Sequence, residues 1–173
     1  APKGRLFPYE DLRICLFKFL FLFDIEILTS DFRSSSKQAR IMSNFRFPVI
    51  MLIDDNELDN FINKKLIETE QFAGEIIVHS SAVNALEDLK KRAANPDQLP
   101  RIIFLDIMMP GMDGFGFLEE FARQPEAVRK YCKVVMLSTT ESFKDLNRAN
   151  QNPYVYKFLN KPMNKSVLDA INI

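Results

Sequence analysis

From Pro48 onward, short apolar runs alternate five times with amphipathic stretches, and that alternation leaves little choice of architecture. Residues 49–53 (VIMLI), 101–105 (RIIFL) and 133–137 (KVVML) are nearly continuous in apolar side chains. A strand with one wet face alternates polar and apolar residues, whereas a strand covered on both faces does not, so these three read as central strands of a parallel sheet. Residues 75–78 (EIIV) and 154–159 (YVYKFL) supply two further β-rich runs. Between the strands lie helical patterns. Asp54 to Asn56 offer capping oxygens to a first helix that carries Leu58, Phe61, Ile62, Leu66 and Ile67 at helical spacing. Ser80 and Ser81 open a second, with Val83, Leu86 and Leu89 on its apolar side, and Asn95-Pro96 closes it. A loop with Pro110, Gly111 and Gly114 leads into a third helix over about 115–123, a fourth is expected over about 141–150 and a fifth over about 166–171. Five βα units predict an α/β fold, a doubly wound parallel sheet with helices on both faces.

Length and charge narrow the function classes. A chain of 173 residues has room for one domain and an appendage. Its 23 basic and 23 acidic residues balance, and Lys64, Lys65, Lys90, Lys91 and Arg92 are interspersed with acids, as on solvated helix faces; no direct nucleic-acid contact is expected. Cys15 and Cys132 are too few and too far apart for a disulfide framework or a zinc cluster, which fits a reducing, cytoplasmic setting. Residues 1–44 differ in character from the rest. Their apolar run from Leu12 to Phe23, interrupted by Arg13 and Lys18, is shorter than the roughly 20 apolar residues a membrane span needs. Glu10 and Asp11 ahead of it, and no A-x-A site behind it, argue against a signal peptide. The expectation is an N-terminal appendage over 1–44, either a docking helix or non-native sequence upstream of a true start at Met42, followed by one domain over 45–173.

In an open parallel sheet, ligands gather outside the carboxyl ends of the strands. In this chain those positions are polar: Asp54 and Asp55 follow the first strand, Ser80 the second, Asp106 the third, Ser138 and Thr139 the fourth, and Lys161 the fifth, just before Pro162. Carboxylates gathered at one edge repel and raise one another's pKa, so the cluster calls for a cation. Oxygen-only ligands suit Mg²⁺, or Mn²⁺ in its place. A protonated lysine cannot ligate a metal, but its ammonium can bind phosphoryl oxygens.

The segments IDDN at 53–56, FLDIMMPGMDG at 104–114, VVMLSTT at 134–140 and FLNKP at 158–162 carry a resemblance in their order and spacing. Over about residues 48–171 the chain resembles the response-regulator receiver domain of two-component phosphorelays, of the stand-alone, chemotaxis-receiver-like kind known from bacterial signalling. The resemblance implies a flavodoxin-like (βα)5 sheet in the order 2-1-3-4-5. It makes Asp106 the phosphoacceptor, Asp55 a direct metal ligand, Asp54 a more water-mediated one, and Met108 a contributor of its backbone carbonyl alone. Ser138 becomes the switch hydroxyl, Lys161 the cation paired with the phosphoryl group, and Phe158 the aromatic switch, where many members have tyrosine. Thr139 and Thr140 occupy positions that tune water access, and Pro110, Gly114 and Pro162 shape the loops. The implied partners are a histidine kinase or histidine phosphotransfer protein upstream, and an unknown target on the face of the fourth helix, fifth strand and fifth helix; a homodimer is left open. Such a protein is a signalling phosphoacceptor rather than an enzyme, catalysing only its own phosphotransfer and dephosphorylation.

Each residue alone has a plainer reading. Asp54 and Asp55 can cap a helix, Asp113-Gly114 makes an ordinary turn, Ser138 can end a strand, and His79, the single histidine, reads as a packing or surface residue. Rival functions fare poorly. A haloacid-dehalogenase-type phosphatase needs a second carboxylate where Met108 stands, a flavin carrier needs a phosphate loop where Asp54-Asp55 would repel phosphate, and an EF-hand over Asp55, Glu57 and Asp59 lacks its loop glycine. The remaining alternative is a receiver-like interaction module that works without phosphorylation.

Overall fold

The computed structural model describes residues 45–139 and 142–173. The expected appendage over 1–44, with its start at Met42, falls outside the described residues, as do Thr140 and Glu141. Five strands alternate with helices: β1 (Phe47–Ile53), α1 (Glu57–Thr69), β2 (Ala73–His79), α2 (Ala82–Arg92), β3 (Ile102–Asp106), α3 (Gly114–Phe121), α4 (Glu126–Tyr131), β4 (Lys133–Ser138), α5 (Phe143–Asn150), β5 (Val155–Asn160) and α6 (Lys165–Asp169). The strands form one sheet in the order β2-β1-β3-β4-β5, every neighbouring pair parallel. That is the doubly wound, flavodoxin-like sheet expected from the sequence.

The apolar runs do what their composition requires. Ile50, Leu52, Ile102, Phe104, Val135 and Leu137 point to one side, where Ile67 of α1 and Leu168 of α6 cover them. Met51, Ile53, Ile103, Leu105, Val134 and Met136 point to the other, under Leu86 and Leu89 of α2, Phe117 and Phe121 of α3, Val128 of α4 and Ala149 of α5. Each central strand is thus buried on both faces, and burying side chains of this size contributes about 1.5–3 kcal/mol apiece before the entropy of ordering them is charged against it.

The structure corrects two readings of the helices. Leu58, Phe61 and Ile62 do not face the core: they are 63%, 60% and 48% exposed, while Asn60, Asn63 and Ile67 are buried. The inner side of α1 lies beside the polar strand ends near its start and over the apolar sheet only near its end, so its first two turns reverse the usual pattern. Val83 of α2 is likewise exposed, with Ala82, Ala85, Leu86 and Leu89 facing inward. A short helix, α4, which the sequence pattern does not mark, follows Pro125; its one buried side chain is Val128, too little for a periodic signal.

Candidate functional site

The first strand ends on Ile53, and Asp54 immediately folds back on the chain. Its Oδ1 accepts the amide of Asn56 at 2.9 Å, and its own amide donates to the carbonyl of His79 at 3.1 Å, tying the ends of β1 and β2 together. Asn56 then caps α1, accepting the amides of Leu58 and Asp59 at 3.0 and 3.4 Å. The capping role read for this triplet therefore falls to Asn56, which leaves the Asp55 carboxylate at the mouth of the site. Buried Asn60 donates from Nδ2 to the Asp54 carbonyl at 2.7 Å, and its Oδ1 is a buried acceptor without a partner.

Asp106 is the last residue of β3 and is buried. Its Oδ2 accepts the Met108 amide at 2.8 Å, which fixes the plane of the carboxylate; the Met108 side chain points to solvent. Beyond it the loop passes Pro110, whose carbonyl accepts the Met112 amide at 2.9 Å, and Gly111 at φ 77°, a left-handed conformation that suits glycine. Asp113 caps α3, and the Gly114 amide returns to the Ile107 carbonyl at 2.9 Å. These bonds bring the start of α3 against the end of β3.

From the far side, Lys161 follows β5. Its amide donates to the Ser138 carbonyl at 2.7 Å, and the bond to Pro162 is cis. Its ammonium reaches across the strand ends to Asp54 Oδ2 at 2.6 Å, Asp106 Oδ1 at 2.7 Å and Asp59 Oδ2 at 2.9 Å. Burial works against the charge on Lys161, but hydrogen bonds to Asp106, Asp54 and Asp59 outweigh it and hold the ammonium well above the usual lysine range. Burial pushes the Asp54 carboxyl up, more than the bonds from Lys161 and the Asn56 amide pull it down, and the nearby Asp106 adds to the rise. One ammonium cannot balance this many carboxylates.

Asp54, Asp55 and Asp106 each place a carboxylate oxygen within 4.8 Å of the others. Hard oxygen donors at that spacing, in a pocket with surplus negative charge, fit a small divalent cation such as Mg²⁺. Ser138 ends β4 and is buried. Thr139 is exposed, and with Asp59, Ile62, Asn63, Lys161 and Pro162 it borders a cavity of about 220 Å³ beside the acidic cluster. Phe158 lies apart from the cluster. It is half-buried in β5, packs against the core, and borders a groove of about 370 Å³ with Ser142, Phe143, Leu146, Leu159 and Asn160.

Thus the strand-end positions read from the sequence converge for Asp54, Asp55, Asp106 and Lys161, while Phe158 stands on the next layer out. One residue escaped the sequence reading. Asp59, considered there only as an EF-hand candidate, is a direct partner of Lys161. No local signal marks it, because the tie joins the first turn of α1 to a lysine 102 positions away.

A family model for the response regulator receiver domain matches residues 50–172. The chain belongs to that family. Receiver domains are phosphoacceptors in signalling and bind Mg²⁺ in an acidic pocket of this kind. A probable methanogenesis regulatory protein from Methanothrix harundinacea is 32% identical over 115 residues, which span 66% of this chain and 72% of that protein. Among solved structures, a two-component response regulator from Cytophaga hutchinsonii superposes with a TM-score of 0.67 at 27% identity, covering 70% of this chain and 91% of its own. A response regulator receiver protein from Dyadobacter fermentans gives 0.63 at 30% identity, covering 69% and 91%. Among the described residues, no helix is long and apolar enough to cross a membrane.

Proposed function

We propose that this receiver takes a phosphoryl group on Asp106 from a phosphohistidine donor, a histidine kinase or a histidine phosphotransfer protein, and passes the signal on by a change of conformation. The observation that carries this is the placing of the Asp106 carboxylate 2.7 Å from the Lys161 ammonium and within 4.8 Å of the Asp54 and Asp55 oxygens. A carboxylate oxygen of Asp106 forms the new bond to phosphorus as the phosphorus–nitrogen bond of the donor breaks, and the imidazole departs with that electron pair. The Met108 amide and Lys161 keep the carboxylate facing the pocket during the approach. Asp54, Asp55 and Asp106, with the backbone carbonyl of Met108, would hold Mg²⁺, which would supply positive charge against the transferred group. Lys161 then pairs with a phosphoryl oxygen, and Ser138 donates its hydroxyl proton to another.

The donor approaches over α1. Leu58 and Phe61 are exposed beside Ile62, which borders the cavity next to Lys161, so an apolar partner surface seated there leads its phosphohistidine to the pocket mouth. Output follows from the groove at Phe158: as Ser138 turns to the phosphoryl group, Phe158 moves inward and the surface of α5, β5 and α6 changes. Incubation with acetyl phosphate and Mg²⁺ tests the reading by intact mass. One phosphoryl group is gained, and the gain disappears with a chelator or in Asp106→Asn; gain retained in that variant contradicts the site, and none in the wild type favours a phosphorylation-independent module.

A further inference from the structure

The Lys161 ammonium has three N–H donors and no acceptor, and all three are committed, to Asp54 at 2.6 Å, Asp106 at 2.7 Å and Asp59 at 2.9 Å. A phosphoryl oxygen on Asp106 can bond this lysine only if one of those partners lets go. We propose that Asp59 is a positioning residue which occupies Lys161 in the unmodified protein and yields it to the phosphoryl group, so that its charge opposes the phosphorylated state. The inference rests on the reading of Asp106 as phosphoacceptor and adds to it a residue that sets how readily that state is reached.

Three observations single out Asp59. The side chains of Asp54 and Asp106 are 4% and 5% exposed, against 31% for Asp59. A carboxylate that loses its partner in the interior suffers the desolvation in full, whereas one at the rim replaces the bond with water. The Asp59 contact is also the longest of the three. Finally, Asp59 sits in the first turn of α1, where its backbone is held by the Asn56 cap. Its side chain can swing to solvent while the strand ends that carry Asp54 and Asp106 stay in place. Once released, the Asp59 carboxylate lies near an incoming dianion and repels it.

Replacing that charge acts in opposite senses on the two ligands of the site. In Asp59→Asn the lysine keeps Asp54 and Asp106 and offers its third proton to an anion, so a phosphoryl mimic binds more tightly. The same lysine leans harder on the two carboxylates that a divalent cation needs, and one nearby negative charge is gone, so Mg²⁺ alone binds more weakly. The chain has no tryptophan, so both bindings are read by titration calorimetry, with Mg²⁺ alone and then with beryllofluoride at saturating Mg²⁺.

The expected result is beryllofluoride affinity raised roughly three- to tenfold in Asp59→Asn, Mg²⁺ affinity lowered, and wild-type values for both in Asp59→Glu, which keeps the charge. Beryllofluoride binding that is unchanged or weaker in Asp59→Asn overturns the proposal. So does a shift of both ligands in one direction, the mark of a structural effect, or a glutamate variant that behaves like asparagine. If wild type and Asp106→Asn both fail to bind beryllofluoride, the phosphoacceptor reading itself falls, a result separate from those above.

Discussion

A Cβ at residue 114 would lie 2.7 Å from the main-chain oxygen of Asp106 and 2.9 Å from the Cα of Ile107, so glycine at that position is what lets α3 start against the end of β3. The neighbours are backbone and cannot turn aside. Gly114→Ala therefore forces the strand end or the helix to shift, at a cost of about 1–3 kcal/mol. The melting temperature is expected to fall by several degrees, and labelling by acetyl phosphate to fall with it. An unchanged melting curve would show that the loop absorbs the methyl group.

Lys161 offsets charge that has nowhere else to go. Lys161→Met leaves Asp54 and Asp106 buried beside each other without their ammonium, and the metal-free protein should lose about 2–4 kcal/mol in urea unfolding. Saturating Mg²⁺ should restore more stability to this variant than it adds to the wild type, because the cation no longer competes with a lysine. Equal increments in the two proteins would argue that metal and lysine do not share carboxylates.

The pH dependence of Asp54 has a definite sign. Burial, reinforced by Asp106, holds its carboxyl above the ordinary 3.8 in the folded protein. The folded state then binds that proton more tightly than the unfolded chain, so stability is withdrawn as pH rises from 3.8 through the raised value. Asp54→Asn, which never ionises, should be more stable than the metal-free wild type at neutral pH, and its advantage should vanish as pH falls below 3.8. Urea unfolding of both proteins at neutral and acid pH measures the crossing; an advantage that persists in acid would assign it to packing.

Phe61 offers a separation of binding from chemistry. Being 60% exposed, it contributes little to the core, and Phe61→Ala should change stability by less than about 0.5 kcal/mol. Transfer from a protein phosphohistidine donor should drop by roughly tenfold, the loss expected when an aromatic anchor is truncated, while labelling by acetyl phosphate stays at the wild-type rate. Equal rates with the protein donor would remove α1 as its landing surface.

How far the sequence could be read depended on which physical signal each element carried. The strands at 49–53, 101–105 and 133–137 announced themselves because double burial demands unbroken apolar runs, and the residues following them were legible as site candidates because sheet topology sends strand ends to one edge. The orientation of α1 was not legible. Its Leu58, Phe61 and Ile62 are spaced like a core face, and only the neighbourhood of the strand ends reveals that Asn60 and Asn63 face inward instead. The tie between Asp59 and Lys161 joins residues 102 positions apart, so no local pattern could announce it. α4 is six residues long with one buried side chain, below what periodicity can resolve.

On the proposed function, Asp106 itself carries the phosphoryl group. Borohydride reduces an acyl phosphate of aspartate to homoserine, so reduction after incubation with acetyl phosphate and Mg²⁺, followed by peptide mass spectrometry, reads the acceptor directly. Homoserine at position 106 and at no other aspartate is the predicted result. Homoserine at Asp54, Asp55 or Asp59, or an unmodified Asp106 peptide from protein that had gained a phosphoryl group, would contradict it.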